Sequence, residues 1–523
     1  MFIKAFLLLA FFAVTVFVGF YYRNKAANVN AFVLAGRSVG PWLTAFAYGT
    51  TYFSAVVFVG YAGQFGWRFG TAATWIGLGN AFIGSMLPWI ILGRRTRLMT
   101  HHLNSATMPE FFGSRFGSTP LKIGASIIIF IFLIPYTASL YNGLSRLFSM
   151  AFGIDFTICI VVMAVLTGVY VIAGGYFATA VNDFIQGIIM LVGMVAVIAA
   201  VLNDNGGFMA SINALSRVED TVVTMPGAFT SFFGPDPLSL LGVVILTSLG
   251  TWGLPQMVQK FYSIKSEKAI FKGTIISTFF AVIIAGGSYF VGSYGRLYSG
   301  MLDVGANGYD SIIPTILSKF PDLLIGIIVI LVLSASMSTL SSLVMTSSST
   351  FTLDFLKGNI IKKMNDKEQL LIIRALIAVF ILISSIIAII QYKGSITFIA
   401  QLMGISWGAL AGSFLAPFLF GLYWKRTSKA SVWVCFIFST VLMILNIFFR
   451  GAFPAVLQSP INAGAFAMLA GFIIVPVVSL FTKAPEKPAV ESCFSCYDEP
   501  VNVMARYDLG NDVNTDNPRT KGR

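Results

Sequence analysis

The sequence predicts an all-α integral membrane protein of about thirteen transmembrane helices, ten of them forming two inverted five-helix repeats. Three observations predict it. The chain is 57% hydrophobic and only 11% charged over 523 residues, against about 25% charged in soluble domains. Its apolar residues run continuously over lengths that cross a ~30 Å hydrocarbon core, instead of alternating as barrel strands do. Two of these runs are interrupted by polar and helix-breaking residues at corresponding places.

The apolar runs lie near 2–22, 42–65, 71–93, 120–148, 154–175, 178–202, 237–260, 270–294, 322–348, 370–392, 395–422, 430–449 and 462–482. Only helices or closed barrels satisfy every backbone group in lipid, so each run reads as a helix. The first, Phe2 to Tyr22, has no small-residue cleavage site before Arg23 and Lys25, which predicts a retained span and not a signal peptide. The organisation expected is a peripheral first helix with its cytoplasmic loop (1–35), a first repeat (36–202), an extracellular loop (203–236), a second repeat (237–422) and two peripheral helices (423–482). The polar stretch 483–523 reads as a disordered cytoplasmic tail.

Lysine and arginine set the orientation. Loops after odd-numbered spans hold Arg23, Lys25 and Arg37, then Arg94, Arg95, Arg97 and Arg115, then Lys260, Lys265, Lys268 and Lys272. Further on they hold Lys357, Lys362, Lys363 and Lys367, then Lys425, Arg426 and Lys429. The positive-inside rule puts the N-terminus outside and the C-terminus in the cytoplasm, with the plasma membrane as the expected location. The net charge of +13 is spread over short clusters, which argues against nucleic acid as a partner.

Other residue types exclude other classes. Cys159, Cys435, Cys493 and Cys496 make no disulfide framework, and the Cys493–Cys496 pair lacks the companions of a zinc or redox site. His101 and His102 read as surface loop residues without a metal constellation. With no histidine in a span and no H-E-x-x-H or G-x-S-x-G motif, the chain does not read as an enzyme. Arg146, Arg296 and Arg374 sit near span ends and are expected to snorkel.

The interruptions are Tyr48-Gly49-Thr50-Thr51-Tyr52-Phe53-Ser54 in the second span and Thr247-Ser248-Leu249-Gly250-Thr251-Trp252-Gly253-Leu254-Pro255-Gln256 in the seventh. Glycine and proline weaken the hydrogen-bond ladder there, and hydroxyls stand ready to meet a freed carbonyl or an ion. With the first span set aside, each interrupted span opens one set of five. An odd number of helices per set makes the sets inverted, and paired interruptions point to a midplane binding site.

At these residues the sequence resembles the sodium:solute symporter family, whose members include sodium/proline, pantothenate, sugar and monocarboxylate carriers. The resemblance runs from about Phe32 to Lys429, roughly three quarters of the chain. It is carried by Gly36-Arg37-Ser38-Val39-Gly40-Pro41-Trp42, Thr107-Met108-Pro109-Glu110-Phe111-Phe112 with Arg115-Phe116, Gly174-Gly175-Tyr176 through Asp183-Phe184-Ile185-Gln186, and Ser336-Met337-Ser338-Thr339-Leu340-Ser341-Ser342. The resemblance implies a LeuT-type core and sodium as the coupling ion, with no other cofactor. It places sodium ligands at the carbonyls of Thr50, Phe53 and Ala335 and the hydroxyls of Ser338 and Thr339. Asp183 is left with three readings: a second cation, an inner gate, or a helix cap.

The solute stays open. The sodium/proline members carry aspartate where this chain has Tyr52, and tryptophan and tyrosine where it has Thr247 and Thr251. Tyr52, Ser54, Thr251, Trp252 and Gln256 are the pocket candidates, offering aromatic faces and neutral polar groups to an amino acid or small monocarboxylate. The rival readings are a channel and a transporter-derived sensor. No filter motif supports the first, and the 41-residue tail is too short for a kinase module. Nothing in the sequence fixes an oligomeric state.

Overall fold

The computed structural model describes residues 2–498 apart from 27, 221–222, 303, 358 and 395–398, and among these every regular element is helical. In chain order they are α1 (Phe2–Tyr21), α2 (Val29–Leu34), α3 (Pro41–Tyr52), α4 (Ala62–Phe69), α5 (Thr74–Ala81), α6 (Arg94–His102), α7 (Met108–Phe116), α8 (Thr119–Phe152), α9 (Phe156–Asp204) and α10 (Phe208–Ser216). There follow α11 (Pro237–Gly253), α12 (Pro255–Ser263), α13 (Glu267–Ala281), α14 (Gly287–Ser293), α15 (Val304–Asn307), α16 (Ile312–Ser318), α17 (Asp322–Thr350), α18 (Asp366–Gly394), α19 (Ile399–Tyr423), α20 (Lys429–Phe448), α21 (Pro460–Phe481) and α22 (Lys487–Phe494).

Among the described residues ten helical stretches are long and apolar enough to cross a membrane, and α11 with α12, bent by 44°, makes an eleventh. Two of the ten are too long for one crossing. The 49 residues of α9 would measure about 74 Å if straight, but Gly175 (φ 59°, ψ −167°) breaks them into two. The 47-residue stretch Val56–His102 turns at Gly70 (φ 59°), where a Cβ would lie 2.0 Å from the Phe229 carbonyl oxygen. So α3 with α4 forms one crossing and Gly70–His102 the next, and the count returns to about thirteen.

The two sets of five share local features. Each opens on a broken helix, α3/α4 or α11/α12. Each continues with a helix carrying a π turn, Phe82–Met86 in one and Val282–Gly286 in the other. The sets interlock: α17 packs on α9, α8 and α3, while α19 packs on α8 and α11. Where α4 crosses α14 the backbones nearly touch. A Cβ on Gly66 would lie 2.1 Å from the Gly292 carbonyl, and one on Gly292 would lie 2.0 Å from the Ala62 oxygen. Glycine alone permits that approach. Outside the core, α1 rests on α9 and α17 and turns Phe6, Leu9 and Phe17 outward, as a lipid-facing helix should.

Several expectations are corrected. The tail expected to be disordered folds as far as Tyr497: Val490, Cys493, Phe494 and Cys496 are buried. Phe494 lies 4.9 Å from the Arg115 guanidinium, and the Tyr497 hydroxyl donates to the Leu422 carbonyl at 3.2 Å. An amphipathic segment too short to span still gains by covering an apolar patch on the arginine-rich face. Residues 499–523 lie outside the described residues. His101 is buried, and His102 meets the Ser492 carbonyl of this tail segment at 2.8 Å. Arg296 does not snorkel. It is buried, pairs with Asp220 at 2.6 Å and lies 3.7 Å from the Phe229 ring centre. Lys260, read as a loop charge, is fully buried on α12.

Candidate functional site

The break in α3 follows from its sequence. Helical geometry ends at Tyr52, and Phe53 (φ −105°, ψ 120°) is extended. In an unbroken helix the N–H groups of Ser54 and Ala55 would bond the carbonyls of Thr50 and Thr51. The Ala55 N–H donates instead to Ser336 Oγ at 3.2 Å. A buried carbonyl needs a donor, and α17 supplies two.

Ser338 Oγ donates to the Thr50 carbonyl at 2.9 Å. Thr339 Oγ1 approaches the carbonyls of Thr50 and Thr51, each at 3.2 Å. Both hydroxyls also lie within reach of the Ala335 carbonyl, at 3.1 and 2.9 Å. Back-bonding within α17 is what serine and threonine do in any membrane helix. The bonds across to α3 are additional, and they tie α17 to the break. Four of the five residues expected at the ion site, Thr50, Ala335, Ser338 and Thr339, are therefore one hydrogen-bonded cluster of carbonyls and hydroxyls. Phe53 is the extended residue of the break, its ring stacked on Tyr52 at 4.3 Å. All five are buried.

Such a cluster suits a hard monovalent cation. It offers neutral carbonyl and hydroxyl oxygens, and hard cations take oxygen ligands. Ligands ~2.4 Å from such an ion and at right angles to one another stand ~3.4 Å apart. The oxygens stand 2.9 to 3.2 Å apart in their hydrogen-bonded form. Admitting sodium requires the hydroxyl protons to swing away and the gap between α3 and α17 to widen by a few tenths of an ångström.

The second break lies at Leu254 (ψ 123°), with Pro255 opening α12. Proline has no N–H to give the Thr251 carbonyl. The candidate pocket residues on this side gather around the π turn of residues 82–86. Tyr52 Oη donates to the Thr247 carbonyl at 2.6 Å, Thr251 Oγ1 to the Gly84 carbonyl at 2.7 Å and Trp252 Nε1 to the Ile83 carbonyl at 2.8 Å. Tyr48 Oη donates to the same Gly84 oxygen at 2.9 Å. A Cβ on Gly84 would lie 2.2 Å from Tyr52 Oη, so this arrangement needs glycine at that position. Ser54 Oγ accepts from the Val56 N–H at 3.3 Å and belongs to the break itself. Gln256 is buried with its Oε1 unpartnered.

Sequence reasoning missed several participants. Trp407 on α19 stacks 6.2 Å from Tyr52, and Tyr136 on α8 stands edge-on to Trp407 at 5.8 Å. An aromatic residue in an apolar span carries no mark that distinguishes a pocket wall from a lipid contact. Ser336, Ser342 and Lys260 were also missed as neighbours of the break. The serine run of α17 was a usable signal: every hydroxyl-bearing residue from Ser334 to Ser342 is buried, which a lipid-facing helix would avoid.

Asp183 is buried in the second half of α9, with both carboxylate oxygens lacking a hydrogen-bond partner. It lies eight residues past the break at Gly175, about 12 Å along the helix, so the helix-cap reading is withdrawn. Tyr52→Phe removes the bond to the Thr247 carbonyl while keeping the ring. It should weaken solute affinity by about three- to tenfold and leave sodium dependence unmoved, as read by initial uptake rates in proteoliposomes.

The chain is 30% identical over 491 residues to a sodium/proline symporter of Staphylococcus aureus (strain JH9), covering 91% of this chain and 92% of that one. Among solved structures it superimposes on a sodium-coupled sialic acid symporter in a substrate-bound outward-open state, with a TM-score of 0.72, 18% identity and coverage of 93% and 99%. It also superimposes on a nucleobase–cation symport family transporter with bromovinylhydantoin bound, with a TM-score of 0.50, 12% identity and coverage of 89% and 98%. These two show the fold. The sequence profile of the sodium:solute symporter family matches residues 32–438. The chain belongs to the sodium:solute symporter family, and its activity is sodium-coupled symport of a small solute.

Proposed function

We propose that sodium binds between the broken α3 and α17, on the carbonyls of Thr50, Phe53 and Ala335 and the hydroxyls of Ser338 and Thr339. The observation that supports this most is the pair of α17 hydroxyls bonded across to the freed carbonyl of Thr50. Sodium taken from one side replaces these bonds, holds α3 and α17 in one arrangement and shapes the pocket at Tyr52. One helical bundle then rocks against the other around the bound ion to expose it to the other side.

The solute we propose is a small amino acid, with proline the first to test because the S. aureus relative is a sodium/proline symporter. Tyr52, Tyr136 and Trp407 provide aromatic walls for an apolar ring or side chain. The N-terminus of α12, beside Gln256, suits a carboxylate through its aligned N–H groups. Ser54, Thr251 and Trp252 complete the pocket and its backing. Neither an aspartate nor an arginine is needed at Tyr52 for a zwitterion to be held this way.

The N-terminus is proposed to lie outside and the C-terminus inside the plasma membrane, which puts the arginine-rich face in the cytoplasm. Arg37, Arg97 and Arg115 are buried and bonded to the carbonyls of Ser105, Ile264 and Gly421 on that face. They act as struts of its closure as well as topology signals. On the opposite face Arg68 pairs with Asp236 at 3.3 Å, tying α4 to the start of α11.

At 100 mV one sodium ion moving inward gains about 2.3 kcal/mol, enough for ~50-fold accumulation of a zwitterion. Uptake of labelled proline, other amino acids and small carboxylates into proteoliposomes tests the reading. Proline or another small amino acid should accumulate above equilibrium only with an inward sodium gradient. Accumulation of carboxylates alone would move the solute class, and flux that is linear in concentration would favour a channel.

A further inference from the structure

The short helix α22 and the turn Ser495–Tyr497 that follows it lie across a seam in the arginine-rich face. On one side of the seam, α6 is bound to the second half of the second broken helix. Arg97 donates to the carbonyls of Ile264 and Lys265, each at 3.1 Å, Arg94 pairs with Glu267 at 3.0 Å, and α6 packs on α12. On the other side, α7 packs on α8, and Arg115 donates to the Gly421 carbonyl near the end of α19 at 3.0 Å. Arg95 Nη1, donating to the Leu422 carbonyl at 3.1 Å, crosses the seam directly, as does Tyr423 Oη, donating to the Ile91 carbonyl at 2.5 Å.

The tail segment adds a clasp over this crossing. Tyr497 Oη lies 3.4 Å from the Arg95 carbonyl on α6 and 3.2 Å from the Leu422 carbonyl on α19, one on each side. The Arg95 guanidinium lies 4.1 Å from the Tyr423 ring centre and 4.5 Å from that of Tyr497. The Ser492 carbonyl meets His102 of α6 at 2.8 Å. Across the seam, the Phe494 ring centre lies 4.9 Å from the Arg115 guanidinium and 5.7 Å from the Lys425 ammonium. Cation–ring contacts and single hydrogen bonds are individually weak at a wet surface. Such a segment holds while all of them are made and lifts when a few are lost.

A carrier working by alternating access has to open each face in turn. On this face α12 swings only if α6, bonded to it, slides along the seam. We propose that residues 487–497 are a strap that clamps α6 to α7 and α19, so that this face opens only as the strap lifts. The tail thereby restrains the carrier without touching ion or solute. The inference rests on the alternating-access reading above, but on none of the sodium ligands or pocket residues named there.

The test is hydrogen–deuterium exchange, read by mass spectrometry, on the purified full-length protein in detergent and potassium buffer, with neither sodium nor solute. Phe494→Ala combined with Tyr497→Ala undoes the clasp. Amides of α12, on which none of the strap contacts named above falls, should then exchange about tenfold faster, together with those of α6. Amides of α4 and α14, toward the opposite face, should keep their wild-type rates. Tyr497→Phe keeps the ring and removes only the hydroxyl between Arg95 and Leu422, so α12 should speed up by about threefold. Faster exchange confined to α6, α7 and residues 421–425 overturns the proposal, since the tail would then merely cover what it touches. So does wild-type exchange throughout. If the double variant also exchanges faster at α4 and α14 it has lost its fold, and Tyr497→Phe decides: a rise at α12 with α4 unchanged upholds the strap, and no rise overturns it.

Discussion

Replacing Ser338 and Thr339 together by alanine should raise the sodium concentration for half-maximal uptake at least tenfold. Each hydroxyl lost from a cation's shell costs about 1.5 to 3 kcal/mol, by analogy with hydrogen bonds to charged groups, and 1.4 kcal/mol is a factor of ten. Solute affinity measured at saturating sodium should change far less. The same substitutions remove the donors that reach the Thr50 carbonyl at 2.9 and 3.2 Å, so the amount of folded transporter must be measured alongside. Thr339→Ser, which keeps the hydroxyl, should preserve sodium dependence. An unchanged sodium curve in the double variant would remove both residues from the ion site.

The second large effect is expected at the α4–α14 crossing. Gly66→Val places a side chain against the Gly292 carbonyl, where even a Cβ would lie 2.1 Å away. Backbone cannot rotate aside as a side chain can, so the helices must separate. Overpacking in cores costs about 1 to 3 kcal/mol, and this overlap should reach the upper end or exceed it. The expected readout is loss of the monodisperse peak in size-exclusion chromatography and a clear fall in thermal unfolding temperature. Gly286→Ala is the control, because a Cβ there would meet nothing within 4 Å. Equal stability of the two variants would mean that the crossing is looser than its geometry states.

The fold was largely legible because lipid leaves so few options. A run of some twenty apolar residues in a 523-residue chain has to be a helix, and the two breaks announced themselves through Gly49 with Ser54 and through Gly253 with Pro255. What lay beyond the sequence was depth. Lys260 ends an apolar run and reads as a loop charge, because its burial depends on the packing of α17, whose Ser342 accepts from its ammonium, 82 residues later in the numbering. Arg296 reads as a snorkelling residue until Asp220 and Phe229 fold over it. The helix at Lys487–Phe494 is too short to register against a polar background, and what stabilises it is contact with Arg115 and Leu422. In the site, the hydroxyl pair on α17 was legible through resemblance. Trp407 and Tyr136 were not, since only the packing of α19 and α8 decides that Trp407 stacks on Tyr52 and Tyr136 on Trp407.

An experimental structure of the protein in high sodium, at a resolution that identifies the ion, tests the central claim most directly. Density is expected between α3 and α17, about 2.4 Å from the carbonyls of Thr50 and Ala335 and the hydroxyls of Ser338 and Thr339. The two hydroxyls should no longer donate to the Thr50 carbonyl. Ion density elsewhere, with Ser338 and Thr339 still hydrogen-bonded to Thr50, would contradict it.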